Sequence, residues 1–219
     1  MCFSGPLKEG LDLFEYVIFD VDGTILDTER AILKSLQQVL REEGHEYPLD
    51  DLRFALGIPG KETLRRLNVS EIERVHPKWS QAVLQFSHEV DVFKDLREVI
   101  QTLVEKPVRT GIVTSKTKQE LIDEFEPFEL SSFFEHTICA DDTEKHKPHP
   151  EPLLACLDGL NAPTNEAIYI GDSIYDMQCA NQAGVKFALA LWGAKQTEGF
   201  ESADYVLREP NNILSLIKV

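Results

Sequence analysis

The stretch Tyr16-Val-Ile-Phe-Asp20-Val-Asp22-Gly-Thr-Ile-Leu26 decides the fold. Four apolar or aromatic residues run into two carboxylates set one residue apart, with a Gly and a Thr directly after them. An apolar run of this length, bounded by turn residues, reads as a short strand buried on both faces, the kind that parallel sheets contain. Such a strand cannot carry charge, so Asp20 and Asp22 must sit where it leaves the sheet. In open α/β sheets that carboxyl edge is where ligands bind. Gly23 lets the chain turn tightly and approach a ligand, because no Cβ is in the way. Two carboxylates facing one small site repel, and call for a cation or a shared proton. The competing reading is a capping or turn pair, since Asp and Gly are common loop residues.

Outward from this strand, composition narrows the classes. A chain of 219 residues suits one large domain, or a core with a smaller insert. A formal net charge of −16 argues against nucleic acid or an anionic membrane as the partner. An anionic substrate would need local positive charge or a metal ion against that background. Cys2, Cys139, Cys156 and Cys179 are scattered without a C-x-x-C pair, which leaves zinc and redox motifs unsupported and suits the cytoplasm. Met1 to Glu15 carries Lys8, Glu9, Asp12 and Glu15 without a continuous apolar core, so it does not read as a signal peptide. No run is long enough to cross a bilayer. The acidic surface favours a soluble protein, a monomer or weak homodimer.

After the first strand, Asp27-Thr28-Glu29 opens a helix carrying Ala31, Ile32, Leu36, Val39 and Leu40, and Gly44 ends it. Shorter helical pieces come next: about 50–56, then one after Gly57-Ile-Pro-Gly60 with Leu64 and Leu67 on one face. Ser70 with Glu73 forms a capping-box pattern for a third, and Pro77 is placed to open a fourth with Val83, Leu84 and Phe86. No strand is expected from Thr28 to about Asp91, so 28–91 reads as an all-helical insert between 1–27 and 92–219. Beyond it the pattern alternates. A helix over 92–104 precedes strand 109–114, and a helix with Leu121, Ile122 and Phe125 precedes strand 136–140. A helix after Pro152 precedes strand 167–171, and a helix over 173–183, stopped by Gly184, precedes strand 187–191. Tyr205–Leu207 suits an edge strand and 212–217 a last helix. Strands alternating with helices mean βαβ units and a parallel sheet.

The polar residues that end each strand carry the functional argument. The first ends in Asp20 and Asp22, and the second in Thr114-Ser115. The third leads to a loop with Lys145 and Lys147, and the fourth ends in Gly171-Asp172-Ser-Ile-Tyr-Asp176. Parallel strands put all four sets at one sheet edge. Carboxylate oxygens suit Mg²⁺, and Mg²⁺ beside hydroxyl, amide and ammonium donors suits a phosphoryl group. Singly, each has a plainer role. Thr114 and Ser115 could cap a helix, Lys147 could be solvated, and Asp172 and Asp176 could be a cap and a first-turn acid. In this order, each after its own strand, coincidence is a poor explanation.

On these pieces the chain resembles the haloacid dehalogenase (HAD) superfamily, in its branch with a helical cap inserted after the first strand. The likeness rests on Asp20-x-Asp22-Gly-Thr24, Thr114-Ser115, Lys147-Pro148 and Gly171-Asp172-x3-Asp176, extended by Ala180-Asn-Gln-Ala183-Gly184. The run Lys147-Pro-His-Pro-Glu-Pro152 is similar to phosphoglycolate phosphatase and pyrophosphatase-like members. The resemblance implies an α/β fold with a Rossmann-like parallel core. It implies a Mg²⁺-dependent phosphatase acting on a small phosphorylated metabolite through an aspartyl-phosphate. The candidates are a phosphoglycolate-like, sugar or nucleotide phosphate, or pyrophosphate. Asp20 would be the nucleophile. Asp22 would be the general acid and base, also offering its main-chain carbonyl to the metal. Asp172 would complete the metal set with Asp20, supported by Asp176 and Thr24. Thr114, Ser115, Lys147 and Gly23 would hold phosphate. Asp22 speaks against a dehalogenase, and none of Lys34, Lys61 and Lys78 stands in the context of a phosphonatase lysine. A sugar phosphomutase of the β-phosphoglucomutase type shares the core residues and stays open, as does a catalytically silent binding protein. In the cap, Gly57 to Glu62 is expected to face the core, with Lys61 and Arg65 as candidates for a second anionic group. Where relatives usually have Pro-Gly before the chain re-enters the core, this chain has Asp91-Val-Phe-Lys-Asp95. The six histidines are expected on the surface or in loops, with His149 near the site by position only.

Overall fold

A computed structural model describes residues 13–194 and 196–218. Cys2 and residues 1–12, on which much of the leader reading rests, lie outside them. The leading apolar run forms β1, Tyr16–Phe19. Among the described residues five further strands join it: β4 (Arg109–Val113), β5 (His136–Ile138), β6 (Ala167–Gly171), β7 (Lys186–Ala190) and β8 (Tyr205–Leu207). The sheet order is β5-β4-β1-β6-β7-β8, and every pairing is parallel. Strand β1 lies between β4 and β6, with Phe19 in register with Ile112 and Ile170. The chain adds strands to one side of β1 and then crosses to the other. The tip of β1 is therefore the topological switch point where an α/β sheet opens a crevice.

Alternation along β1 feeds both faces. Val17 and Phe19 pack with Leu96, Leu103, Phe125 and Ile213 on one side, while Ile18 packs with Leu153, Leu157, Tyr169 and Phe187 on the other. Helices α4 (Leu96–Val104), α6 (Glu151–Gly159) and α7 (Ile174–Ala183) bury their apolar stripes there. The insert between β1 and β4 holds α1 (Glu29–Glu42), α2 (Gly60–Arg66) and α3 (Ile72–Gln85), with 3₁₀ turns at Leu49–Ala55 and Ser87–Glu89. It has its own apolar core, built from residues such as Leu36, Leu40, Leu52, Leu64, Val75 and Trp79. Burying side chains of that size contributes roughly 1.5–3 kcal/mol each, which lets the insert pack as a unit.

Several local expectations give way to tertiary contacts. Pro77 opens no helix: α3 runs through it, because Val75, Trp79, Ala82 and Val83 form one buried face that holds both halves together. The Ser70–Glu73 box does not form; the residue before α3 is Glu71, in left-handed backbone at φ 58° without a side-chain cap. Helix α4 starts at Leu96 rather than Val92, because β3 (Asp91–Val92) pairs antiparallel with β2 (Leu26–Asp27). This two-stranded ribbon is where the chain leaves the core and returns. In the segment lacking Pro-Gly, Asp95 takes φ 66°, the left-handed conformation that glycine accepts most readily. The last helical piece is a 3₁₀ turn, Pro210–Ser215.

Candidate active site

One residue past β1 the chain can no longer pair on both sides, and Asp20 is delivered into the crevice with its N–H still donating to Ile170 O at 2.9 Å. Asp20 is 2% exposed. Lys147, on the loop between β5 and α6, reaches it from below: Nζ lies 2.9 Å from Asp20 Oδ1 and 2.7 Å from Asp176 Oδ1. Tyr169, in the middle of β6, places its hydroxyl 3.2 Å from Lys147 Nζ and 2.9 Å from Asp176 Oδ1. Asp176 is fully buried and serves two tasks. Its Oδ2 accepts from the Ser173 N–H and hydroxyl in the capping box that starts α7, while Oδ1 faces Lys147. Asp176 is thus a first-turn acid of α7 and more than that, while the cap of that helix is Ser173 and not Asp172.

Carboxylate oxygens of Asp20, Asp172 and Asp176 all lie within 4.8 Å of one another. Burial pushes Asp20 up from 3.8 to about 7, with Lys147 opposing and Asp176 and Asp22 adding. Asp172 is also pushed well above the ordinary carboxylate range, by burial and then by Asp176 and Asp20. Burial alone would lower Lys147, but Asp176 and Asp20 outweigh it and hold the ammonium charged. One ammonium among three crowded carboxylates leaves an excess of negative charge. Hard oxygen donors with that excess could hold a divalent cation. Thr24 donates to Asp172 Oδ1 at 3.1 Å, and Gly23 lies against the same carboxylate. A Cβ on Gly23 would come within 2.1 Å of Asp172 Oδ2, and its φ is +75°, so only glycine fits.

The carboxylate of Asp22 joins a different group. Its Oδ1 lies 3.0 Å from Nζ of Lys116, which is also 2.6 Å from Glu124 Oε2. Lys116 is 7% exposed. Burial works against its charge, and Asp22 and Glu124 overcome that. Beside it, Thr114 is buried at the end of β4 and Ser115 donates to Gly57 O of the insert at 3.2 Å. Neither caps the next helix. Thr117 does, in a capping box with Glu120 at the start of α5 (Lys118–Glu124); Ser115 lines the crevice, while the buried Thr114 hydroxyl accepts from the Lys116 N–H at 3.2 Å.

The insert roofs this crevice. A chamber of about 70 Å³ is bounded by Asp20, Asp22, Ser115 and Lys116 below and His76, Trp79 and Ser80 above. It adjoins a cleft of about 430 Å³ through the shared wall of Gly60, His76, Ser115 and Glu120. Lys61, Arg65, Arg66 and Lys147 line that cleft. Lys61 is paired with Glu73 at 2.6 Å and Arg65 with Glu62 at 3.1 Å. His76 corrects the view of the histidines as surface or loop residues. It is 9% exposed on α3, 3.5 Å from Glu120.

Comparison with known proteins agrees with this geometry. The family model of haloacid dehalogenase-like hydrolases matches residues 17–190. The chain belongs to the haloacid dehalogenase-like hydrolase family. Among curated HAD relatives, a candidate pyrophosphatase PpaX of Caldanaerobacter subterraneus subsp. tengcongensis is 32% identical over 206 residues, covering 92% of this chain and 94% of the relative. Pyrophosphatase PpaX of Bacillus mycoides is 29% identical over 209 residues, with 92% and 95% covered. The crystal structure of a candidate phosphoglycolate phosphatase from Lactobacillus plantarum superimposes with a TM-score of 0.85 at 26% identity, covering 94% of this chain and 100% of that one. This chain is a hydrolase of the HAD phosphatase and pyrophosphatase type. Among the described residues no helix is long and apolar enough to cross a membrane.

The sequence reading passed over Lys116, Tyr169, His76 and Arg66. Lys116 had a usable signal, a lysine directly after Thr114-Ser115 at the end of a buried strand. Tyr169 had a weaker one, since a tyrosine inside an apolar strand must find a partner for its hydroxyl. His76 and Arg66 had none, because only the docking of the insert brings them to the crevice.

Proposed function

We propose that the chain is a Mg²⁺-dependent phosphatase that hydrolyses a small phosphate monoester or pyrophosphate through an aspartyl-phosphate on Asp20. The observation that carries the reading is the buried Asp20, held by Lys147 against Asp172 and Asp176 and opening into a chamber roofed by the insert. Asp20 attacks phosphorus, and the bond to the leaving oxygen breaks with its electron pair going to that oxygen. Asp22 gives the leaving oxygen a proton. It then takes one from the water that attacks phosphorus, which breaks the Asp20–phosphorus bond and frees orthophosphate. Lys116, anchored by Glu124, holds the Asp22 carboxylate in place for both transfers. Thr114, Ser115 and Lys147 bind the phosphoryl oxygens, with Gly23 leaving room for them. Asp20, Asp172 and the main-chain carbonyl of Asp22 would hold the metal, with Asp176 and Thr24 orienting the set. Bound there, Mg²⁺ offsets the charge that a dianion would otherwise meet among these carboxylates.

Residues 28–91 act as a cap over a core made of 1–27 and 92–219, and the cap selects the leaving group. A chamber of about 70 Å³ is close to the size of one phosphoryl group, so the leaving group extends into the adjoining cleft. Lys61 and Arg65 there suit a second anion, a phosphate or a carboxylate. Their pairs with Glu73 and Glu62 are solvent-exposed and weak, so either can turn to a ligand. Purified protein should release orthophosphate from p-nitrophenyl phosphate and from members of a panel containing pyrophosphate and phosphoglycolate. EDTA should stop this release and Asp20→Asn should abolish it. Turnover by Asp20→Asn, with deamidation excluded by mass spectrometry, would remove the nucleophile assignment.

A further inference from the structure

Two cap residues grip the segment that carries Asp172 and Asp176. Gly57, at φ +84°, lies so close to Ser173 that a Cβ would come within 2.7 Å of the Ser173 Cβ. Farther along, Arg66 at the end of α2 donates from Nη1 to the Tyr175 hydroxyl at 2.8 Å, with its guanidinium carbon 5.6 Å from the Tyr175 ring centroid. Tyr175 stands in the first turn of α7, immediately before Asp176. Arg66 is therefore attached to the acidic cluster's own helix while also lining the cleft beside Lys61 and Arg65. Among the described residues, few other polar contacts cross from cap to crevice: Ser115 to Gly57 O at 3.2 Å, Ser80 to Glu120 Oε1 at 2.7 Å, and His76 near Glu120. Those lie on the β4–α5 side. The Arg66–Tyr175 contact holds the opposite side, next to the acidic cluster.

We propose that Arg66 and Tyr175 are positioning residues that latch the cap over the chamber and tie its closure to the Asp172–Asp176 segment. The proposal rests on the phosphatase reading for its purpose but not for its test. A guanidinium presents its donors in a fixed planar fork that meets the hydroxyl while its charge stays within reach of the ring, and a lysine would keep only the charge. Closure held partly by this pair costs little to undo, because both side chains are partly exposed, so it can open to release product on each cycle.

Hydrogen exchange of the full chain tests this, measured alone and again with Mg²⁺ and orthophosphate. Tyr175→Phe removes one hydroxyl and keeps the ring, so the fold is retained and thermal unfolding verifies that. The amides of 60–67 should exchange about three- to tenfold faster in Tyr175→Phe and in Arg66→Ala, and less so in Arg66→Lys. The double variant Arg66→Ala/Tyr175→Phe should be no worse than Arg66→Ala, since the two groups act as one unit. In turnover, KM should rise by about the same factor with kcat changed less, because substrate binding drives closure of the weakened cap. Wild-type exchange in 60–67 of Tyr175→Phe, or additive effects in the double variant, would overturn the latch. A protein that hydrolyses nothing yet shows the exchange pattern would overturn the phosphatase reading and leave the latch standing.

Discussion

Stripping divalent ions with EDTA and raising the pH from about 5 to about 8 should cost the protein roughly 3 kcal/mol of stability through Asp20 alone. The folded chain holds the Asp20 proton more tightly than the unfolded chain, with the group pushed from 3.8 to about 7 by burial. Folding then takes up a proton in that window, so the folded state is favoured at low pH and loses ground as pH rises from about 4 to about 7. One pH unit is worth about 1.4 kcal/mol, which makes the whole span about 4 kcal/mol and the part above pH 5 roughly 3. Asp172, also raised, acts in the same direction. Lys147 does not oppose this, because it stays charged throughout the range. Mg²⁺ held by the ionised cluster of the folded state, as proposed above, would restore the loss, and its stabilising effect should grow with pH. Urea unfolding monitored by tryptophan fluorescence at both pH values, with EDTA and with Mg²⁺, measures these terms. The general repulsion of a chain at net charge −16 also grows with pH, so Asp20→Asn is the reference. The reasoning fails if wild type and Asp20→Asn lose the same stability in EDTA.

Lys147→Met should lower stability at neutral pH by about 3–5 kcal/mol in EDTA, because it leaves Asp20 and Asp176 buried without their cation; denaturant midpoints read this directly. Gly23→Ala should reduce kcat/KM by at least about a hundredfold, since its Cβ would displace Asp172 and misplacement of about 1 Å costs that much, while the circular dichroism spectrum stays native. Asp95→Gly should raise stability by about 0.5–1 kcal/mol in thermal unfolding, because it relieves left-handed backbone at a residue with no side-chain capping bond.

Much of the core was legible because its signals are local. Buried strands such as β1 and β6 are near-continuous apolar runs, and the polar residues directly after a strand must lie at the sheet's edge. That logic placed Asp20, Thr114, Ser115 and Asp172 together, and it located Lys147 to within a loop. It could not say which of the lysines near strand ends would be buried. Lys145 is exposed while Lys116 and Lys147 are sealed in, a difference set by packing from distant parts of the chain. The helical insert was legible as helical, but its joints were not. Pro77 inside α3 and the β2–β3 ribbon both contradict local propensity, and both depend on partners far along the chain.

Local chemistry therefore determined the sheet, the edge at which polar residues gather and the acidic character of the site. Those properties come from periodicity and from the cost of burying charge, which act over a few residues. Only the folded chain decided that Asp22 turns to Lys116 while Asp176 turns to Lys147, and that Arg66 meets Tyr175. Such pairings join residues dozens to more than a hundred positions apart. Their energies come from desolvation and distance, neither of which exists until the chain has folded.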